Sequence, residues 1–149
     1  MPSTPEKYLR PSPFETRMNQ WMGKLAAWGL GPSHMVQLSV RGRKSGKVYA
    51  TPVNLMTVDG VDYLVAPRGT TSWVRNARSV GEVTLKRGRM TETVHLEELP
   101  DEAKPRLLKE YLERYKRDVQ RYFTVQAGVD VSSFTSIAGE YPVFRLVRK

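Results

Sequence analysis

Apolar and polar residues alternate along Val36-Gln37-Leu38-Ser39-Val40 and again at Val48-Tyr49-Ala50, on either side of Arg41-Gly42-Arg43-Lys44-Ser45-Gly46-Lys47. Period-two alternation broken by a glycine-containing segment predicts two antiparallel strands joined by a long hairpin loop. The second strand continues through Val53 to Val58, and Asp59-Gly60, a dipeptide suited to a two-residue turn, sends the chain back along Val61 to Ala66. Val83-Thr84-Leu85 and Thr91 to Leu99 pair across Arg87-Gly88-Arg89, and Val143 to Val147 is a sixth strand.

Helical spacing appears in three places. Phe14, Met18, Trp21, Met22, Leu25 and Trp28 share one face, opened by a capping box at Ser12-Pro13-Phe14-Glu15 and ended by Gly29 and Gly31-Pro32. A short helix capped by Ser72 runs through Trp73, Val74, Asn76, Ala77 and Val80 to Gly81. Pro100 to Tyr115 is amphipathic, with Leu107, Leu108, Tyr111, Leu112 and Tyr115 on one side and Arg117 to Gly128 as its continuation. Ser132 to Glu140 reads as loop. Strands that follow one another mostly through hairpins predict a mainly β, α+β fold: an antiparallel barrel or strongly coiled sheet with flanking helices, not parallel βαβ units. Residues 1–13, with four prolines, read as a flexible or ligand-covering arm, and 14–149 as a single domain.

Composition narrows the function. The chain has 149 residues, 40% of them hydrophobic, enough for one packed core. Without cysteine there is neither a disulfide framework nor a thiolate metal site, and His34 and His95 lack a second ligand at metal spacing, so no metal is expected. No apolar run approaches the roughly 20 residues of a membrane span, and the N-terminus is not signal-like, so a cytoplasmic protein is expected. Trp21 and Trp28 with Arg17 and Lys24 would give the first helix an interfacial face for peripheral membrane contact. Lys and Arg number 24 against 15 acids, a net charge of +9 that suits an anionic partner. No helix-turn-helix, zinc-finger or RRM signature supports nucleic acid in that role.

Two segments concentrate the charge. The loop from Arg41 to Lys47 carries four cations, no acid and two glycines, a composition that lets backbone N–H groups converge on an anion and that a solvated hairpin tip also shares. It is not a Walker loop, since a strand rather than a helix follows. The second segment is Ala66-Pro67-Arg68-Gly69-Thr70-Thr71-Ser72-Trp73-Val74-Arg75-Asn76-Ala77-Arg78. There Arg75 and Arg78 share a helix face, near a helix N-terminus suited to an anion. No paired carboxylate or Ser/His/Asp arrangement competes as a catalytic centre.

The order strand, Gly-Arg-Lys-Ser-Gly, strand, Thr-Pro-Val, Asp-Gly hairpin, then Ala-Pro-Arg-Gly and Trp-Val-Arg-Asn-Ala-Arg resembles the deazaflavin-dependent nitroreductase family, from Val36 to Leu85 with an echo at Tyr141-Pro142-Val143-Phe144. That resemblance implies an antiparallel split β-barrel, FMN-binding-like in fold, that uses the deazaflavin coenzyme F-420. It implies that Arg43, Lys44, Ser45 and Gly46 hold the phosphate and glutamate tail, and that Thr51, Pro52 and Val53 lie beside the ring. Ala66, Pro67, Arg68 and Gly69 would contact ring or phosphodiester, and Trp73, Arg75, Asn76 and Arg78 would complete the phosphate pocket. The implied reaction is hydride transfer to a small electron-poor acceptor, a quinone, nitroaromatic or activated enone, with solvent, Tyr122 or Ser72 giving the proton. Tyr111 and Tyr115 fit core and pocket equally. The alternatives are an FMN-using relative, a non-catalytic lipid or fatty-acid carrier and, last, a nucleic-acid binder; monomer and homodimer both remain open.

Overall fold

The computed structural model describes residues 34–148; the first predicted helix and the arm before it lie outside them. Six strands, β1 (Met35–Arg41), β2 (Val48–Val58), β3 (Val61–Val65), β4 (Glu82–Arg87), β5 (Met90–Glu98) and β6 (Val143–Val147), close into a barrel in the order β1-β2-β3-β6-β5-β4. Every neighbouring pair is antiparallel. The expected mainly β split barrel is the fold found. Asp59 and Gly60 both take positive φ, 51° and 79°, as the tight β2–β3 turn requires.

Alternation along β1 buries Val36, Leu38 and Val40 while Gln37 and Ser39 face outward. These three meet Leu64, Val83, Leu85, Val94, Phe144 and Leu146 in one apolar cluster, which helix α1 (Ser72–Val80) completes with Val74 and Ala77. Side chains fill this cluster, as in other small barrels. A second cluster forms where helix α2 (Pro105–Val119) lays Leu108, Tyr111 and Leu112 against Met56, Val65 and Val143. Phe123, Phe134 and Tyr141 cover it from the following segment. Each fully buried side chain of this size contributes about 1.5–3 kcal/mol of burial.

The helical boundaries differ from those the periodicity predicts. Asp101–Ala103 is a separate 3-10 turn, and α2 starts at Pro105, with proline in its first turn. The continuation to Gly128 does not form: α2 ends at Val119, a 3-10 turn covers Gln120–Tyr122, and Phe123 is extended. The Gln120 side chain accounts for the change. Its Nε2 donates to the Val125 carbonyl at 2.8 Å and its Oε1 accepts from Ala127 N at 2.9 Å, so it satisfies loop backbone that a helix would have paired internally. The segment read as loop carries 3-10 turns at Val131–Phe134 and Ala138–Glu140, the first capped by Asp130. The N-cap of α1 is Thr71, not Ser72, which is the first helical residue; Gly81 closes the helix at φ 83° as its position predicts.

Tyr141 is fully buried, stacks on Phe123 at 4.3 Å and donates its hydroxyl to the Tyr122 carbonyl at 2.8 Å. Burial, and after it the charge of Glu140, pushes its phenol up to about 12. An unfolded tyrosine ionises near 10, so the folded state holds its proton while the unfolded chain loses it. Stability from this group is therefore complete below pH 10 and declines as pH rises toward 12. A melting curve recorded from pH 9 to 11 is expected to show Tm falling with pH, and Tyr141→Phe to flatten the slope; an unchanged slope in the variant removes Tyr141 as its source.

Candidate functional site

The site arises from the way β2 changes partners. Residues 48–54 pair with β1, from Arg41↔Val48 to Met35↔Asn54, and residues 55–58 pair with β3, from Leu55↔Leu64 to Val58↔Val61. Beyond Leu64 the third strand does not follow β2 back. Ala66 N donates to the Pro142 carbonyl at 2.9 Å, Pro67 has no N–H, and Gly69, at φ 84°, and Thr71 bond to Ala66 and Gly69 carbonyls in a tight coil. Among the described strands, residues 48–54 of β2 thus have a partner on one side only. A proline at 52 is tolerated because its ring faces no second ladder. A cleft opens between this stretch and residues 66–73, with two lobes that share Thr51, Arg68, Thr71 and Trp73.

The first lobe, of about 490 Å³, is walled by the cationic loop. Gly42 N donates to the Lys47 carbonyl at 2.6 Å and Gly46 N to the Gly42 carbonyl at 3.1 Å, while Gly46 takes φ 73°. A Cβ at Gly42 would lie 2.7 Å from the Tyr49 ring and 2.9 Å from Ser45 Oγ, so the loop folds this tightly because position 42 has no side chain. Ser45 Oγ accepts from Lys47 N and lies 3.3 Å from Tyr49 Oη. Asn76, on α1 and 3% exposed, reaches across to the loop: its Oδ1 accepts from Arg43 N at 3.1 Å and from Arg43 Nη1 at 2.8 Å. One buried amide thereby fixes the loop to the helix.

The electrostatics of this lobe are one-sided. Arg43, Lys44 and Arg68 line it and no acid does. Neither Lys44 nor Arg68 has a carboxylate partner among the described residues. The first-turn amides of α1 have no intrahelical acceptor, and that turn carries no acidic residue. Thr71 Oγ1 is buried on the shared wall without a hydrogen-bond partner among the described residues. Ser72 lines this lobe and is exposed. Arg75 and Arg78 line neither lobe. Arg78 forms a two-pronged pair with Glu98 on β5, at 2.8 and 2.7 Å, so its guanidinium is engaged away from both lobes. The long-range partner was invisible to local spacing.

The second lobe, of about 450 Å³, is formed by Pro52, Val53, Asn54, Ala66 and Pro67 on one side and Tyr111, Val119 and Tyr122 on the other. Arg117, Asp118 and Arg121 also line it. Tyr111 is 1% exposed, and its Oη accepts from Asn54 Nδ2 at 3.2 Å. Burial drives its phenol pKa well above the ordinary tyrosine value. Tyr115 packs edge-on to Tyr111 at 5.0 Å, inside the core rather than on the lobe, and burial raises its phenol as well. Tyr122 is half-buried, with the Arg121 guanidinium 4.8 Å from its ring centre. Tyr122 and Ser72 therefore stand in different lobes. Thr71, Asn54 and Tyr49 escaped sequence reading although each adjoins a residue it singled out; Tyr111 lies on an apolar helix face that looks identical for core and for pocket.

Among the described residues no cluster of His, Asp and Glu could hold a metal, and no helix is long and apolar enough to cross a membrane. The closed antiparallel barrel has the split-barrel fold. The chain belongs to the F420H(2)-dependent quinone reductase family, whose model matches residues 16–133. Similar solved structures include one reported as a domain-swapped dimer (21% identity, 91% of this chain and 100% of that one, TM-score 0.56) and an F420-H2 dependent reductase, FDR-A (21%, 76% and 94%, TM-score 0.52). The protein Atu2129 of unknown function from Agrobacterium tumefaciens str. C58 is also similar (18%, 93% and 56%, TM-score 0.57). At these identities the likeness establishes the fold. No curated protein matches the chain significantly.

The chain is thus an F420-dependent oxidoreductase, with coenzyme F420 as its cofactor. The residues present fit that group: Lys44 and Arg68 without carboxylate partners among the described residues, first-turn helix amides without an intrahelical acceptor and a buried Thr71 hydroxyl match an anionic phosphodiester and glutamate tail. The Arg43–Asn76 contact is what presents the loop. Replacing Asn76 by Leu leaves the Arg43 amide without its acceptor, at a cost of about 1–3 kcal/mol. Hydrogen exchange at the Arg43 amide is expected to speed up in Asn76→Leu while exchange in the barrel strands holds; unchanged protection would show that the loop is fixed by other contacts.

Proposed function

We propose that this oxidoreductase passes a hydride from reduced F420 to a quinone held in the tyrosine-lined lobe, with nitroaromatics and activated enones as alternative acceptors of the same electronic class. The observation that carries the reading is the continuity of the cleft: an acid-free cationic lobe joins an aromatic and aliphatic one across Thr51, Arg68, Thr71 and Trp73. The family's description as quinone reductases supports the choice of acceptor. When bound, the reduced deazaflavin supplies a hydride, two electrons in one transfer.

The chain's own residues bind, orient and exclude water. In this reading Arg43, Lys44, Ser45 and Gly46 hold the phosphodiester and glutamate tail, with Arg43 steadied by Asn76. Arg68 and the first turn of α1, beginning at Thr71, complete the anion site. Thr51, Pro52 and Val53 flank the ring from the free side of β2, opposite Ala66, Pro67 and Trp73. Val119 and Tyr122 close the far lobe, where Tyr122 is the proposed proton source for the product; Ser72, in the other lobe, is set aside for that task. The proposal extends to a homodimer, by likeness to the relative reported as a domain-swapped dimer.

Calorimetric titration with oxidised F420 tests the cationic lobe. Removing two cations that have no carboxylate partner among the described residues, in Arg68→Ala with Lys44→Ala, is expected to weaken binding by at least about tenfold, or roughly 1.4 kcal/mol, with the melting temperature maintained. Equal affinity in the double variant would rule out this lobe as the coenzyme's anchor.

A further inference from the structure

We propose that Arg117 is a specificity-determining residue: with Arg121 it binds an anionic substituent on the acceptor, a carboxylate or a sulfonate, so that quinones bearing such a group are the preferred substrates. The proposal rests on the reading that the acceptor occupies the lobe lined by Val119 and Tyr122.

Arg117 and Arg121 border the second lobe and not the first, so they stand apart from the site assigned to the coenzyme's phosphodiester and glutamate tail. Arg68, on the wall between the lobes, is shared with that site. The far lobe therefore holds cations that the coenzyme's charges do not account for. Among the described residues Asp118 is the one acid on its lining, against three arginines.

Elsewhere on the surface arginines are matched by acids: Arg78 by Glu98, Arg106 by Asp59, Arg114 by Glu110, Arg145 by Glu97, and Arg148 by Asp62 and Glu92. Arg117 is exposed and has no carboxylate partner among the described residues, although Asp118 follows it directly.

The end of α2 explains how these side chains reach one cavity. Successive residues of a regular helix point about 100° apart, so a cavity on its flank does not meet three in a row. Arg117, Asp118 and Val119 nevertheless all border this one. The helix loses its regular torsions at Tyr115, where φ is −117° and ψ 25°, and the lobe meets the end of α2 rather than its side. The negative end of the helix dipole favours cations there. Arg121 holds its guanidinium 4.8 Å from the Tyr122 ring centre, at cation–π distance. Arg117 and Arg121 are exposed while Tyr111 and Val119 are buried, which puts charge at the mouth and apolar surface at depth. A flat ring with one anionic group matches both, and the planar fork of arginine suits paired carboxylate or sulfonate oxygens.

The reaction is unaltered by this contact. The hydride carries two electrons from the reduced coenzyme to the quinone, one proton drawn from solvent completes the hydroquinone, and the anionic group is neither formed nor lost.

The test uses the full chain with F420 and compares menadione with a naphthoquinone bearing one sulfonate. The quantity read is kcat/KM for the sulfonate over kcat/KM for menadione, taken in each variant relative to the natural protein, which cancels the differing ease of reduction of the two quinones. Arg117→Gln is expected to lower this ratio about 3- to 10-fold, mostly through KM, and Asp118→Asn to raise it. Salt at about 0.5 M is expected to shrink both effects, since exposed charges are screened. An arginine that only complements the helix end alters Tm and leaves the ratio alone, so an unchanged ratio in Arg117→Gln overturns the proposal. Calorimetric titration of the sulfonate into protein loaded with oxidised F420, where no turnover occurs, is expected to show weaker binding in Arg117→Gln; equal binding overturns the proposal, as does a sulfonate that displaces F420 from the first lobe. A natural protein that binds F420 and, through Arg117, the sulfonate, yet reduces neither quinone, overturns instead the reading of the acceptor lobe.

Discussion

A small closed barrel has no spare interior: Leu38, Leu64, Val74 and Phe144 fill this one. A ligand is therefore held more readily where neighbouring strands part, as they do along β2. β2 gives its first seven residues to β1 and its last four to β3, while Ala66 turns its amide to Pro142 instead of following β2 back. Everything placed on the cleft depends on that exchange. The loop from Gly42 to Lys47 lies at the far end of the half-paired stretch, α1 starts where the departing segment ends, and α2 supplies the wall beyond Asn54.

The departure has a local cause and a distant one. Pro67 cannot donate to a ladder and Gly69 takes a left-handed turn, so the segment leaves the sheet by its own chemistry. The distant cause is β6, whose Val143–Arg145 pair with β3 and whose preceding Pro142 receives the Ala66 amide. Residues more than seventy positions away thus hold the cleft open.

That mixture explains what the sequence disclosed. The six strands were legible because alternation and the Asp59-Gly60 turn are local signals, and the cationic loop was legible because Gly42 and Gly46 mark its backbone. The start of α1 is legible as well, to within one residue: the cap is Thr71, and residue type alone does not separate it from Ser72. Pairing between remote residues was not legible. The pair between Arg78 and Glu98, twenty residues on, carries no local signal in the sequence. Tyr111 shares an apolar helix face with Leu108 and Leu112, and periodicity cannot distinguish a ring wholly in the core from one that also borders a cavity. The helix past Val119 failed for a similar reason: Gln120 found better use for its amide in a loop.

Four residues, Thr51, Arg68, Thr71 and Trp73, belong to both lobes at once. A molecule that seats against them from one side changes the surface met from the other, in charge at Arg68 and in shape at Trp73. The two lobes are consequently thermodynamic neighbours rather than independent compartments. Whatever free energy an occupant of the first contributes to affinity in the second is returned in the opposite direction by the same amount. With one partition between them, order of arrival alters the path but not the strength of the ternary complex.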